Sequence, residues 1–214
     1  VRKLEKDFEL RWFTPAMEVD LCGHATLAAA HALWSENPAE SAEPIRFHTR
    51  SGLLTCCQQG GRIELDFPVT FAEQASAASR LIEALGVTPT FIGHSKWDKL
   101  VVVESEDALR AMCPDFARLE DVDMRGVIVT STADDPKFDF ISRFFAPRAG
   151  VNEDPVTGSA HCCLGPYWAE RLGKLEMTAY QASARGGIVH VRVEGDRVVL
   201  AGNAVTVSRG TLLV

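Results

Sequence analysis

The chain repeats itself. Arg11-Trp12-Phe13-Thr14-Pro15 is followed by Cys22-Gly23-His24-Ala25, and Arg143-Phe144-Phe145-Ala146-Pro147 by Thr157-Gly158-Ser159-Ala160. From the glycine onward one offset holds: 158 − 23 = 135, 185 − 50 = 135 for Arg50 and Arg185, and 197 − 62 = 135 for Arg62 and Arg197. Gly52 with Gly187 and Leu65 with Leu200 keep the same spacing, and only the proline-to-glycine loop is three residues longer in the second copy. A unit this long is no solenoid repeat. It predicts an α+β fold of two pseudo-symmetric lobes facing each other, each a curved, mainly antiparallel sheet around a buried central helix.

The copies differ at their starts. The second Arg-aromatic-Phe strand is expected to follow two strands and a helix, whereas only ten residues precede Arg11, and the chain opens on Val1. The expectation is a first lobe (1–73) truncated at its start, a connecting helix (74–88) and a second lobe (89–214). At 214 residues there is ample chain for a core. A net charge of −7 and a pI near 5.4 argue against nucleic acid or an anionic membrane as partner. No apolar run approaches the ~20 residues that span a bilayer. Six cysteines without C-x-x-C spacing read as free, mostly buried thiols in a reducing cytoplasm.

Periodicity places the elements. Phe8–Phe13 alternates as a half-buried strand stopped by Pro15, and Ala25–Trp34 is apolar on nearly every face, as a buried helix ended by Asn37-Pro38 would be. Ile45–His48, Leu53–Cys57 and Arg62–Phe67 read as strands, with Gly60-Gly61 as a hairpin turn. Ser76–Leu85 reads as an amphipathic helix, and Glu106–Met112 and Ser159–Leu172 as further helices, the last capped by Gly173. Leu100–Glu104, Gly126–Thr132, Phe138–Phe145, Leu175–Gln181, Ile188–Val193, Arg197–Leu200 and Ala204–Val207 are the remaining predicted strands.

Both central helices open at a glycine turn. A helix N-terminus offers unpaired N–H groups and the positive end of its dipole, which suits a carboxylate. Gly23 and Gly158 let a ligand approach, unless they merely permit turns with Thr157 or Ser159 as N-cap. If the lobes face about a twofold axis, the two helix starts meet in one cleft. His24, beside Gly23, is then the histidine placed to exchange a proton near neutral pH; His31, His48, His94, His161 and His190 read as structural. Asp154, in Glu153-Asp154-Pro155, sets a carboxylate by the other helix start, and Ser159 is the duplicate of His24. The expected ligand is a small carboxylate, which Arg50 or Arg185 could help neutralise, although surface or turn roles are the better reading of both. No ligand spacing for a metal appears, and Gly60-Gly61 and Gly186-Gly187 lack nucleotide-loop spacing.

These stretches, with Asp20-Leu21-Cys22-Gly23-His24-Ala25-Thr26-Leu27-Ala28, Glu153 through His161 and Gln181-Ala182-Ser183-Ala184-Arg185-Gly186-Gly187, resemble the phenazine-biosynthesis isomerase (PhzF-like) family over the whole chain. The resemblance implies the diaminopimelate-epimerase-like fold, a homodimer, and a cofactor-free isomerisation by proton transfer on a cyclic amino acid. By motif it places Gly23, His24, Asp154 and Ser159 in the active site. The family's acid/base glutamate, in an Asn-Leu-Ser-Glu-Thr-like motif before the Arg-Trp-Phe-Thr-Pro strand, has no match here, which implies an impaired chain. Two other functions compete. A proline-racemase-like enzyme needs a thiol on each face of the carbon, but the duplicate of Cys22 is Thr157 (157 − 22 = 135). A non-catalytic partner-binding protein is the second.

Overall fold

The computed structural model describes residues 1–14, 17–37, 43–76 and 79–211. Its first lobe runs β1 (Arg2–Lys3), β2 (Phe8–Glu9), β3 (Trp12–Phe13), β4 (Glu18–Val19), α1 (Gly23–Glu36), β5 (Ile45–Thr49), β6 (Gly52–Gln59) and β7 (Arg62–Pro68). There follow β8 (Glu73–Gln74), α2 (Ser79–Leu85), β9 (Pro89–His94), β10 (Asp98–Val103), α3 (Glu106–Ala111), α4 (Phe116–Glu120), β11 (Gly126–Thr132) and β12 (Phe140–Phe145). The chain continues through α5 (Gly158–Leu172), β13 (Glu176–Gln181), β14 (Gly187–Glu194) and β15 (Arg197–Gly202).

Among the described residues thirteen strands form one sheet, ordered β1-β2-β5-β6-β7-β15-β14-β13-β12-β11-β10-β9-β8, and β3 pairs with β4 in a separate hairpin. The two copies join at β7 and β15, which pair antiparallel with Leu65 opposite Leu200. Those leucines are duplicates of one another, so the pseudo-twofold axis passes between them. On either side the order β2-β5-β6-β7 mirrors β12-β13-β14-β15, each with one parallel pair followed by two antiparallel ones. This is the α+β, two-lobed architecture that the duplication implies.

α5 fills the second lobe. Gly158 through Gly165 are all buried, and Trp168 stacks on Phe140 at 5.7 Å while its Nε1 donates to Thr130 Oγ1 at 3.0 Å. Burying side chains of this size contributes ~1.5–3 kcal/mol each. Pro166 interrupts the helix ladder and frees the carbonyl of Cys162; Thr70 N–H donates to it at 3.1 Å, tying the inter-lobe connection to the helix. On the sheet's other face, α2, α3 and α4 cover Val101, Val129, Ile141 and Phe145 with Leu81, Leu85, Leu109 and Leu119.

Several expectations need correction. α1 is not enclosed: only Gly23, Thr26, Ala30 and Trp34 are buried. α1 packs on β7 and α5, while α5 is enclosed by β13, β14 and β15 and also meets Phe91 of β9, Thr130 of β11 and Phe140 of β12. Apolar composition therefore overstated its burial. Phe8–Phe13 is two short strands, because β2 pairs with β5 and the chain then turns away to form the β3–β4 hairpin. Ala204–Val207 is not a strand; β15 already has both edges paired, and Val205 and Val207 are exposed. The short strands β1, β4 and β8 went unread, as did β9 and α4, so the second lobe's lead-in is longer than two strands and a helix. Pro15, Pro38 and residues 77–78 of the Ser76–Leu85 segment lie outside the described residues. All six cysteines are free, Cys56, Cys162 and Cys163 buried and Cys113 exposed. No helix among the described residues is long and apolar enough to cross a membrane.

Candidate active site

The helix starts of α1 and α5 touch. A Cβ added to Gly23 would lie 3.0 Å from Gly158 Cα, and one added to Gly158 would lie 3.1 Å from Gly23 Cα. Only glycine at both positions lets the backbones approach so closely. The residues before them, Cys22 and Thr157, are the N-caps, with matching extended conformations (φ −144°, ψ 101° and φ −114°, ψ 98°). Neither side chain caps its own helix. Two positive helix ends thus open side by side onto a cleft of about 900 Å³ that Cys22, Gly23, His24, Asp154, Thr157, Gly158 and Ser159 all line.

Each N-cap side chain instead meets an acid/base group. Cys22 Sγ lies 3.5 Å from His24 Nε2, and Thr157 Oγ1 donates to Asp154 Oδ2 at 2.5 Å. His24 Nδ1 sits 2.7 Å from the Val156 carbonyl oxygen. A carbonyl only accepts, so Nδ1 carries a proton and Nε2 is the nitrogen turned to Cys22. The hydrogen bond with Cys22 is the main influence raising His24, joined by the charges of Cys22 and Asp154 and by the Val156 carbonyl. The ring is open to the cleft yet crowded enough for desolvation to oppose its charge; the balance pushes it up to about 9.

The loop from Glu153 to Thr157 is held from three sides. Arg143 grips Glu153 with a two-pronged ion pair (Nε–Oε1 2.7 Å, Nη2–Oε2 2.9 Å), and the first copy repeats it between Arg11 and Glu18 at 2.8 Å for both contacts. Gln181, fully buried, accepts from Thr157 N–H at 2.7 Å and donates to the Asp154 carbonyl at 2.7 Å. Ser183 Oγ donates to the Pro155 carbonyl at 2.9 Å, and a Cβ on Gly187 would stand 2.3 Å from Val156 Cγ2. The Gln181–Gly187 stretch is therefore the cradle of the loop that carries Asp154 and bonds His24.

Arg50 and Arg185 do not reach the cleft. Arg50 is engaged by Glu18 at 2.8 Å and Asp20 at 3.8 Å, and Arg185 is exposed. Arg125 lines the cleft instead: its fork binds buried Asp98 and its Nη2 donates to Ser159 Oγ at 3.0 Å. Sequence reading missed Arg125, Asp98 and Gln181. A glutamine ending a predicted strand inside a recognised motif was the available signal for Gln181; the other two carried none.

Four of the five remaining histidines have structural contacts, and His94 is exposed. His161 is buried and bonded to the Thr157 carbonyl at 2.8 Å, and burial pushes it down to about 4. His48 pairs with Asp7, His31 with Thr206 and His190 with Thr178. Cys22 is the one cysteine that lines the cleft, and burial pushes the Cys162 and Cys163 thiols up to about 12. Among the described residues no group of His, Cys, Asp and Glu could hold a metal ion.

Residues 1–210 match the family described as phenazine biosynthesis-like proteins. An uncharacterized isomerase of Halalkalibacterium halodurans is 52% identical over 97% of this chain and 78% of its own length. A phenazine biosynthesis-like domain-containing protein of Homo sapiens is 37% identical over 96% of this chain and 77% of its own. A putative phenazine biosynthesis PhzC/PhzF protein of Clostridium difficile superposes with TM-score 0.89 at 37% identity, covering 99% of this chain and 81% of that one. A probable proline racemase of Agrobacterium radiobacter shares the fold at TM-score 0.62 and 11% identity, over 97% of this chain and 75% of that one. On sequence and architecture alike, the chain belongs to the phenazine biosynthesis-like (PhzC-PhzF) family.

Proposed function

We propose that the cleft binds a small carboxylate, of the cyclic amino acid type, and moves a proton on it without a cofactor. The observation that carries this is the contact between two uncapped helix starts, with His24 on one and Asp154 beside the other. Two dipole ends converge on one anion, each contributing ~0.3–1 kcal/mol and more where water is excluded. His24, raised to about 9, is an imidazolium at neutral pH, with Nδ1 anchored on Val156 and Nε2–H the proton available for delivery. Thr157 holds Asp154 Oδ2, and among the described residues no hydrogen bond occupies Oδ1, which is left to accept a proton. An acid on one copy and a base on the other are what an isomerase needs to take a proton from one carbon and return one elsewhere.

Proton exchange tests it. Small cyclic amino acids are incubated with the protein in D₂O and deuterium at carbon is followed by NMR. Wild type should incorporate it, at a rate reduced by the lack of a match to the family's acid/base glutamate, and His24→Gln and Asp154→Asn should each slow incorporation by a further ~10²–10⁴-fold without unfolding. Exchange in both variants at the wild-type rate would refute the assignment.

A further inference from the structure

We infer that Asp98 and Arg125 form a positioning pair that makes Ser159 a hydrogen-bond donor to the ligand; the inference rests on the carboxylate reading of the cleft. Asp98 opens β10 and Arg125 immediately precedes β11, its parallel neighbour, so the register Asp98↔Gly126 sets the two side chains together. Asp98 is 1% exposed, and its carboxylate takes both prongs of the guanidinium, Nε to Oδ1 at 2.9 Å and Nη2 to Oδ2 at 2.5 Å. Trp97 and Phe144 flank that plane, 5.4 and 5.8 Å from Cζ. A guanidinium forked on a buried carboxylate and packed against two rings has little freedom to turn.

The second Nη2 hydrogen then falls on Ser159 Oγ at 3.0 Å. Guanidinium can only donate, so the serine oxygen is the acceptor in that bond. Its own hydrogen must point elsewhere, and among the described residues no other partner takes it. Ser159 lines the cleft at the second position of α5, where a ligand at the helix starts would lie. A charged donor on the oxygen also polarises the O–H and strengthens it as a donor. The wall by α5 is thereby selective for an acceptor, such as a carboxylate oxygen. An ammonium there would meet the guanidinium charge, so an amino acid is oriented with its carboxylate toward α5.

The test uses benzoate, a planar carboxylate with no other polar group, titrated by calorimetry. Arg125→Met strands buried Asp98 and is expected to lose stability, so the double variant Asp98→Asn/Arg125→Met removes both charges. Ser159→Ala and this double variant should each weaken benzoate roughly tenfold, a loss typical of one hydrogen bond to a charged group. Combining them should weaken it no further, since Arg125 acts through Ser159, and Arg125→Lys should recover part of the affinity. Wild-type affinity in Asp98→Asn/Arg125→Met overturns the inference alone, as does a combined loss near one-hundredfold, which would mean that Arg125 acts on the ligand directly. Failure of the wild type to bind benzoate overturns the carboxylate reading and this inference with it.

Discussion

Replacing Gly158 by alanine tests the contact on which the site is built. Neither Gly158 nor Gly23 has a positive φ, so alanine fits the backbone conformation and only space opposes it. The new Cβ would lie 3.1 Å from Gly23 Cα, against the 3.4 Å at which ordinary contact begins, and its neighbour is backbone rather than a side chain that can swing away. The helix starts must therefore separate by about 0.3 Å. Overpacking of this kind costs ~1–3 kcal/mol, and the better helix propensity of alanine returns at most ~1 kcal/mol. Urea unfolding of Gly158→Ala should show a net loss of about 1–2 kcal/mol, and Gly23→Ala a similar one. The double variant should lose less than the sum, because either alanine alone separates the same pair, with a coupling of at least ~0.5 kcal/mol. Benzoate affinity should fall in both single variants, since the two sets of amide groups no longer converge. Single variants that are neutral or more stable, with benzoate affinity intact, would refute the reasoning.

Three further outcomes follow from the same geometry. His24 is raised from 6.5 to about 9 in the fold, so its contribution is complete below pH 6.5 and is lost as pH rises through about 9. Benzoate affinity should drop across that range, and Cys22→Ala should move the midpoint down; a midpoint unmoved by Cys22→Ala would remove the cysteine as the cause. His161 is held neutral, lowered to about 4, so stability is present above pH 6.5 and declines as pH falls from 6.5 through 4. The gap corresponds to about 3 kcal/mol, and His161→Phe should flatten the acid limb of the stability–pH curve; an unchanged limb would contradict it. Gln181→Leu strands Thr157 N–H and the Asp154 carbonyl and should cost about 3 kcal/mol in thermal unfolding, whereas an unchanged melting temperature would show the loop to be held otherwise.

The duplication made the architecture and the meeting of the two helix starts legible before any coordinates. A constant offset names the residues that a twofold axis must bring together, and Gly23 with Gly158 and Leu65 with Leu200 meet across it. What the offset could not show lies where the copies differ. Arg125 and Asp98 belong to the lead-in of the second lobe, outside the stretch where the offset holds, and an arginine before a strand looks like any surface charge. The exposure of α1 was hidden for a related reason: the composition of a helix reports what it could bury, not which strands are there to cover it. Val205 and Val207 alternate as a strand does, but β15 just before them is already paired on both edges.

The central claim is that two helix starts hold one anion, and the backbone amides of Gly23 and Gly158 report on it directly. In a benzoate titration followed by ¹H–¹⁵N NMR, both amide signals should move and saturate together with a single dissociation constant. Movement of only one, or of the two with different constants, would contradict the account.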